Sequence, residues 1–182
     1  MIEAVIGLKR GTVELVAHRP QWKALFEEER LVLTQTIGDF VIDIQHVGST
    51  AVPGLDAKPI LDIAASVASL SAISGCRAPL CRIGYLDRGD GGQDGGYLFV
   101  RQSAPEFRTH HLHIVTADDP QWKSYLWFRD LLRRDDSMRA AYAALKKASA
   151  EKFPADRGAY TLSKQDFIRG LLATSFTPGA VS

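Results

Sequence analysis

Cysteine is scarce in this chain. Its 182 residues hold two, Cys76 and Cys81, in no CxxC arrangement, which argues against both a disulfide framework and a cysteine-rich zinc module,. A charge excess is also missing: Lys+Arg 22 against Asp+Glu 21 gives a net charge of +1. No bulk field then draws the chain onto nucleic acid or an anionic membrane, and any anion must be caught locally. Nowhere do about 18 apolar residues run together, and the first ten residues lack the basic start and apolar stretch of a signal peptide,. A cytoplasmic location without membrane contact is the expectation. There is no HExxH, no GxSxG elbow and no P-loop, so several common enzyme classes lose their signature,. Pro-Gln-Trp-Lys occurs at 20–23 and 120–123 without further matching, which reads as two similar helix starts and no internal repeat,.

What is present is a globular balance, 46% hydrophobic and 24% charged, at a length suited to a single domain over 1–182,. Val13 to His18 reads as a short strand or lead-in. Trp22, Leu25, Phe26, Leu33 and Ile37 then fall mostly on one face of a helix over about 20–37, with Gly38 as its terminator,. Val41–Val47 alternates as a strand that ends at Gly48-Ser49-Thr50, and Ile60–Val67 reads as a largely buried strand,. A helix is expected over 68–84. The run from Asp87 to Gly96 contains five glycines and reads as a mobile loop,. Tyr97–Arg101 and Thr109–Val115 read as two strands of a hairpin joined by a short polar connection, and from about 119 to 175 the chain turns helical,. Helix starts are expected at Asp119-Pro120, at Asp135 or Asp136, and at Ser163-Lys164-Gln165-Asp166, which has the spacing of a capping box,. On that last reading Tyr160, Thr161, Lys164 and Asp166 serve capping and packing. The fold class is α+β, a mixed sheet flanked by helices.

Two constellations carry chemistry. Gly48-Ser49-Thr50 follows a strand, and its amides and hydroxyls suit phosphate oxygens or a plain turn,. Asp62 stands in an otherwise apolar strand, where a carboxylate needs a hydrogen bond, a cation or a metal to offset its desolvation,. Lys58 has the same parity as Asp62 but lies about 13 Å away on an extended chain, so contact requires a bend at Pro59. The second constellation is Thr109-His110-His111-Leu112-His113, which places His111 and His113 on one strand face and His110 on the other,. Arg129, Arg133 and Arg134 read as anion contacts or, more simply, as a solvated helix face,.

These elements, in this order and over nearly the whole chain, resemble the GrpB family: Val13–Val16 with Trp22 and Phe26, His46–Leu55, Lys58–Ile63, Thr109–Val115, Phe128-Arg129-Asp130 and Tyr160–Lys164. That family is similar to polymerase-beta-type nucleotidyltransferases, which implies a nucleotidyltransferase-like fold. The resemblance also implies a Gly-Ser turn that holds phosphate and a strand whose two alternating carboxylates bind magnesium. A GrpB domain also occurs fused to dephospho-CoA kinase, with a folding-assistance role proposed. Carried over by position, Gly48 and Ser49 match the turn and Asp62 the first carboxylate, but Ala64 stands where the second would be. A two-metal transfer needs more anionic ligands than one aspartate.

The expectation has two forms. In one, Gly48, Ser49, Thr50 and Lys58 hold the phosphates of a nucleotide or small phosphorylated ligand. Asp62, His111 and His113 then serve as catalytic and metal-binding groups for magnesium, manganese or zinc, and a nucleotidyl group passes to a small acceptor,. In the other, the domain is a non-catalytic ligand-binding or chaperone-like module. The glycine-rich run over 87–96 could close over the ligand in either form.

Overall fold

The structure is a computed structural model that describes residues 5–91 and 96–175, without the side chains of residues 174 and 175. Helical spacing of Trp22, Phe26, Leu33 and Ile37 becomes the buried stripe of α1, Gln21–Ile37,. Gly38 is its C-cap but keeps a right-handed backbone with φ −55, so the helix does not stop through a left-handed glycine,. The strands are β1 (Leu8–Lys9), β2 (Val41–Val47), β3 (Leu61–Val67), β4 (Tyr85–Asp90), β5 (Tyr97–Ala104) and β6 (Phe107–Thr116). They form one mixed sheet in the order β2-β3-β6-β5-β4, with β1 also paired to β6. β3 and β6 run parallel, and the other pairs are antiparallel. The residues Val13 to His18 add only an isolated bridge, Val16 to Ala57.

Strand parity divides the sheet into two different faces. One face carries Leu61, Ile63, Ala65, Leu112, Ile114 and Phe99. It packs into a continuous core with α1 and with α2, Leu70–Arg82, which is capped by Ser69 accepting from the Ala72 amide. The other face carries Asp62, Ala64, His111 and His113, and is covered by the helical C-terminal third. Here lie α3 (Pro120–Arg134), α4 (Asp136–Lys152) and α5 (Arg157–Ser175), with a smaller apolar cluster of Val52, Leu55, Leu132 and Tyr142.

Two expectations are corrected. The glycine-rich run is not a loop throughout: Asp87 and Asp90 belong to β4 and pair with Phe99 and Tyr97 across a bulge. An edge strand holds its place through backbone pairing on one side, so exposed charges and glycine are tolerated there. Residues 92–95 lie outside the described residues. The last helix starts six residues before the expected capping box: Asp156 Oδ1 accepts from the Ala159 amide, whereas Ser163 lies inside α5 and donates to the Tyr160 carbonyl. Helices start as expected at Asp119-Pro120 and, of Asp135 or Asp136, with Asp135 as the cap; the Asp119 and Asp135 carboxylates accept from the Gln121 and Met138 amides,. Among the described residues no helix is long and apolar enough to cross a membrane.

Candidate functional site

Register creates the centre of the site. β3 and β6 set Asp62 directly beside His111 and Ala64 directly beside His113. His111 Nδ1 lies 3.0 Å from Asp62 Oδ1, and Arg157 Nη2 lies 3.2 Å from His111 Nε2. A guanidinium can only donate, so Nε2 accepts and Nδ1 carries the proton that goes to the carboxylate. This assigns the tautomer of a neutral imidazole. Burial pushes the His111 pKa down to about 4, with Asp62 opposing and Arg157 assisting. For Asp62 burial pulls upward, but the hydrogen bond from His111 and the charges of His113 and Lys58 prevail and hold the carboxyl well below its usual range,.

The turn after β2 closes over this pair. Gly48 has φ 68, and a Cβ there would stand 2.6 Å from Asp62 Oδ2, so both its conformation and its close approach require glycine,. Ser49–Ala51 form a single 3-10 turn. The Ser49 hydroxyl hydrogen-bonds with Tyr142, while the Thr50 hydroxyl lies 3.0 Å from His46 Nε2. Lys58 reaches the site because the chain bends at Pro59, where the Ile60 amide donates to the Lys58 carbonyl at 2.7 Å,. All seven residues singled out from the sequence, Gly48, Ser49, Thr50, Lys58, Asp62, His111 and His113, line one cavity of about 230 Å³.

The same cavity is lined by residues that sequence reasoning missed. Tyr142 and Lys146 come from α4, and Arg157, Tyr160 and Lys164 come from α5. The Lys164 ammonium lies 4.0 Å from the centre of the Tyr160 ring and Lys58 lies 5.2 Å from it,. Lys146 lies 5.4 Å from the centre of the Tyr142 ring and donates to the Asp56 carbonyl. Burial draws the lysines down, Lys146 and Lys164 to about 7 and Lys58 to about 8, with neighbouring cations adding to the effect. A signal existed in the sequence. Tyr-x-x-x-Lys occurs at 142–146 and again at 160–164, which puts each ring beside its ammonium on one helix face,. Tyr160 and Lys164 are thus cavity walls rather than capping residues.

The arginines of α3 do a different job. Arg129 is buried, forks onto Asp130 and donates to Gln45 Oε1 at 2.8 Å and to the His46 carbonyl at 3.0 Å. Arg133 donates to the Ala51 carbonyl at 2.9 Å. Arg129 and Arg133 clamp α3 to the end of β2 and to the turn; Arg129 is buried, whereas Arg133 and Arg134 stay exposed as a solvated face would be. A larger cavity of about 640 Å³ lies beside them, lined by His18, Phe26 and His46 among others. Its two arginines are already engaged, and His46, stacked on Phe26, is pushed down to about 4 by burial and is neutral near pH 7. The smaller cavity holds the uncommitted chemistry.

A metal held by Asp62, His111 and His113 does not fit this geometry. Asp62 Oδ1 and His111 Nδ1 are engaged with each other, and the Arg157 guanidinium occupies the direction in which His111 Nε2 would offer its lone pair,. Among the described residues no three His, Cys, Asp or Glu side chains converge to hold a metal ion. The surroundings also favour the opposite sign of guest: Lys58, Lys146, Lys164 and Arg157 face one carboxylate. An anion with several acceptor oxygens would satisfy these donors.

The comparisons with known proteins agree with this architecture. A family model described as "GrpB protein" matches residues 12–174. The Glutamate-rich protein GrpB of Alkalihalophilus pseudofirmus is 37% identical, across 92% of this chain and 98% of that protein. A protein named Dephospho-CoA kinase from Mycolicibacterium paratuberculosis is 29% identical across 89% of this chain, which spans 46% of the kinase-named protein. A crystal structure of the conserved protein GrpB from Enterococcus faecalis superposes with a TM-score of 0.79 at 32% identity, covering 88% of this chain and 96% of that one.

Proposed function

This chain belongs to the GrpB protein family, and from that premise and the chemistry of its cavity we propose that it binds a nucleotide or a related small phosphorylated ligand. The observation that carries the reading is the imbalance of charge: four cationic side chains converge on a cavity that contains one carboxylate. Several buried cations share the Asp62 counter-charge, and a phosphate group would add to it with several acceptor oxygens,. Gly48 lets the backbone approach that space without a side chain in the way,. The partial match to proteins named dephospho-CoA kinase is compatible with a phosphate-bearing ligand. In this proposal the protein works in the cytoplasm on a small diffusible molecule, without nucleic acid or membrane.

Binding without turnover is the form that two observations favour. Ala64 leaves the expected carboxylate pair incomplete, and among the described residues no three His, Cys, Asp or Glu side chains converge on a metal position. Nucleotidyl transfer is the rival. Calorimetry on the full chain with inorganic phosphate, pyrophosphate, AMP and ATP, with and without a chelator, tests the proposal. Binding that survives chelation and is lost in Lys164→Met, with the fold intact by circular dichroism, is expected. No binding of any of these anions would refute it, and a nucleotide-derived product formed only with magnesium, manganese or zinc would move the reading to metal-dependent transfer.

A further inference from the structure

The cationic cavity has an apolar neighbour. Between α3 and α5 lies a second chamber of about 260 Å³, whose walls include Tyr125, Phe128, Tyr142, Ile168 and Leu172. The two chambers share Gly48, Tyr142, Thr161 and Lys164, so Lys164 stands at the junction with its ammonium available to both. Neither chamber alone reaches the range of about 300–1,000 Å³ usual for small-molecule sites, whereas the two joined fall within it. Tyr142, shared by both chambers, is packed among other rings. Phe167 stacks on the Tyr142 ring at 5.6 Å between centroids, and Phe128 meets the same ring edge-on at 5.1 Å,. Polar groups sit around the apolar walls, among them Gln121, Ser124 and Gln165.

We infer that the ligand is a phosphate ester that carries a flat aromatic group, with the phosphate in the cationic chamber and the ring between α3 and α5. The inference rests on the proposed phosphate binding and extends it to the rest of the ligand. Aromatic walls reward a flat π-face more than a flexible chain, which loses rotational freedom on entering. Side-chain amides and hydroxyls around an apolar slot suit the hydrogen-bonding edge of a heterocycle.

The test is calorimetry on the full chain with four probes: inorganic phosphate, n-hexyl phosphate, 1-naphthyl phosphate and AMP. Naphthyl phosphate and AMP are expected to bind about tenfold or more tighter than inorganic phosphate, in line with the stacking of a base on an aromatic side chain, and hexyl phosphate is not. Ser124→Phe, which fills the chamber from α3, should erase the aromatic gain while inorganic phosphate keeps its affinity. Leu172→Trp fills it from α5 and serves if the first variant does not fold. Phosphate bound equally with or without an aromatic group, an equal gain from the hexyl chain, or an aromatic gain that survives both fillings would each overturn the inference and leave the phosphate proposal standing. Failure of all four probes to bind would overturn both.

Discussion

His110 and His111 are neighbours on β6 and meet opposite circumstances. On the face packed by α1 and α2, His110 lies near Glu29, a buried acid whose needs are met: Tyr85 donates to Oε1 at 2.9 Å and Arg101 to Oε2 at 2.6 Å. Burial pushes His110 down to about 4, so it is neutral near pH 7 and adds no charge to that balance. On the other face His111 is neutral too, but its acid, Asp62, stands among three lysines and an arginine around a cavity. Both faces bury polar groups beside a carboxylate. The first is matched and filled, which is what a structural network requires, and the second is unmatched and open, which is what a ligand site requires.

Removing the cations of the open face gives the largest contrast. Lys146→Met with Lys164→Met should weaken phosphate or nucleotide binding by about a hundredfold or more, since a hydrogen bond to a charged group is worth about 1.5–3 kcal/mol. The same variant should match or exceed the wild type in thermal stability at pH 6, because two buried charges are gone. Calorimetry and a melting curve on one sample check both halves.

Glu29→Ala attacks the closed face and should reverse the pattern. It strands Tyr85 and the partly exposed Arg101, at a cost of about 2–3 kcal/mol in urea unfolding. Anion affinity should remain that of the wild type. A loss of binding equal to that of the lysine variant would break the distinction between the faces.

Changing pH sharpens the comparison without a mutation. The folded chain releases the protons of Lys146 and Lys164 near pH 7 and of Lys58 near pH 8, whereas the unfolded chain keeps them to about 10.5. Between those limits the unfolded state binds more protons, so unliganded stability rises with pH from about 7 upward. Anion binding needs the ammoniums, so affinity should fall over pH 7–9, by at most about tenfold per pH unit for each coupled proton. Calorimetry in buffers of different ionisation enthalpy reads the proton uptake directly.

The smallest effect is expected at Gly48. Gly48→Ala meets both the positive φ and the Asp62 carboxylate, and should cost about 1–2 kcal/mol of stability,. Anion affinity should drop several-fold as Asp62 is displaced. Unchanged melting and binding would show that the turn relaxes freely.

Much of this was legible in the residues. Period-two alternation marked β2, a largely apolar run marked β3, and strand parity put His111 and His113 on one face and His110 on the other,. Asp62 stood out as a carboxylate in an apolar strand, and the turn at Gly48 was marked by its small residues. The β4 strand was hidden by Gly89 and the charges around it, since an edge strand pairs through backbone that composition does not report. Arg129 looked solvated because a helix face is polar in the same way whether it meets water or a neighbouring carbonyl.

The sequence by itself determined the α+β class, the strand faces, the helix starts at Asp119-Pro120 and at Asp135 or Asp136, and the seven residues that line the cavity, because these follow from local periodicity and from the cost of burying a charge,. Tertiary structure alone decided the sign of the site. Lys146, Arg157 and Lys164 lie about 84 to 102 residues beyond Asp62 in the chain, and Coulomb's law depends on separation in space rather than along the chain. Only the folding of α4 and α5 over β3 and β6 turned a candidate metal carboxylate into one acid surrounded by cations.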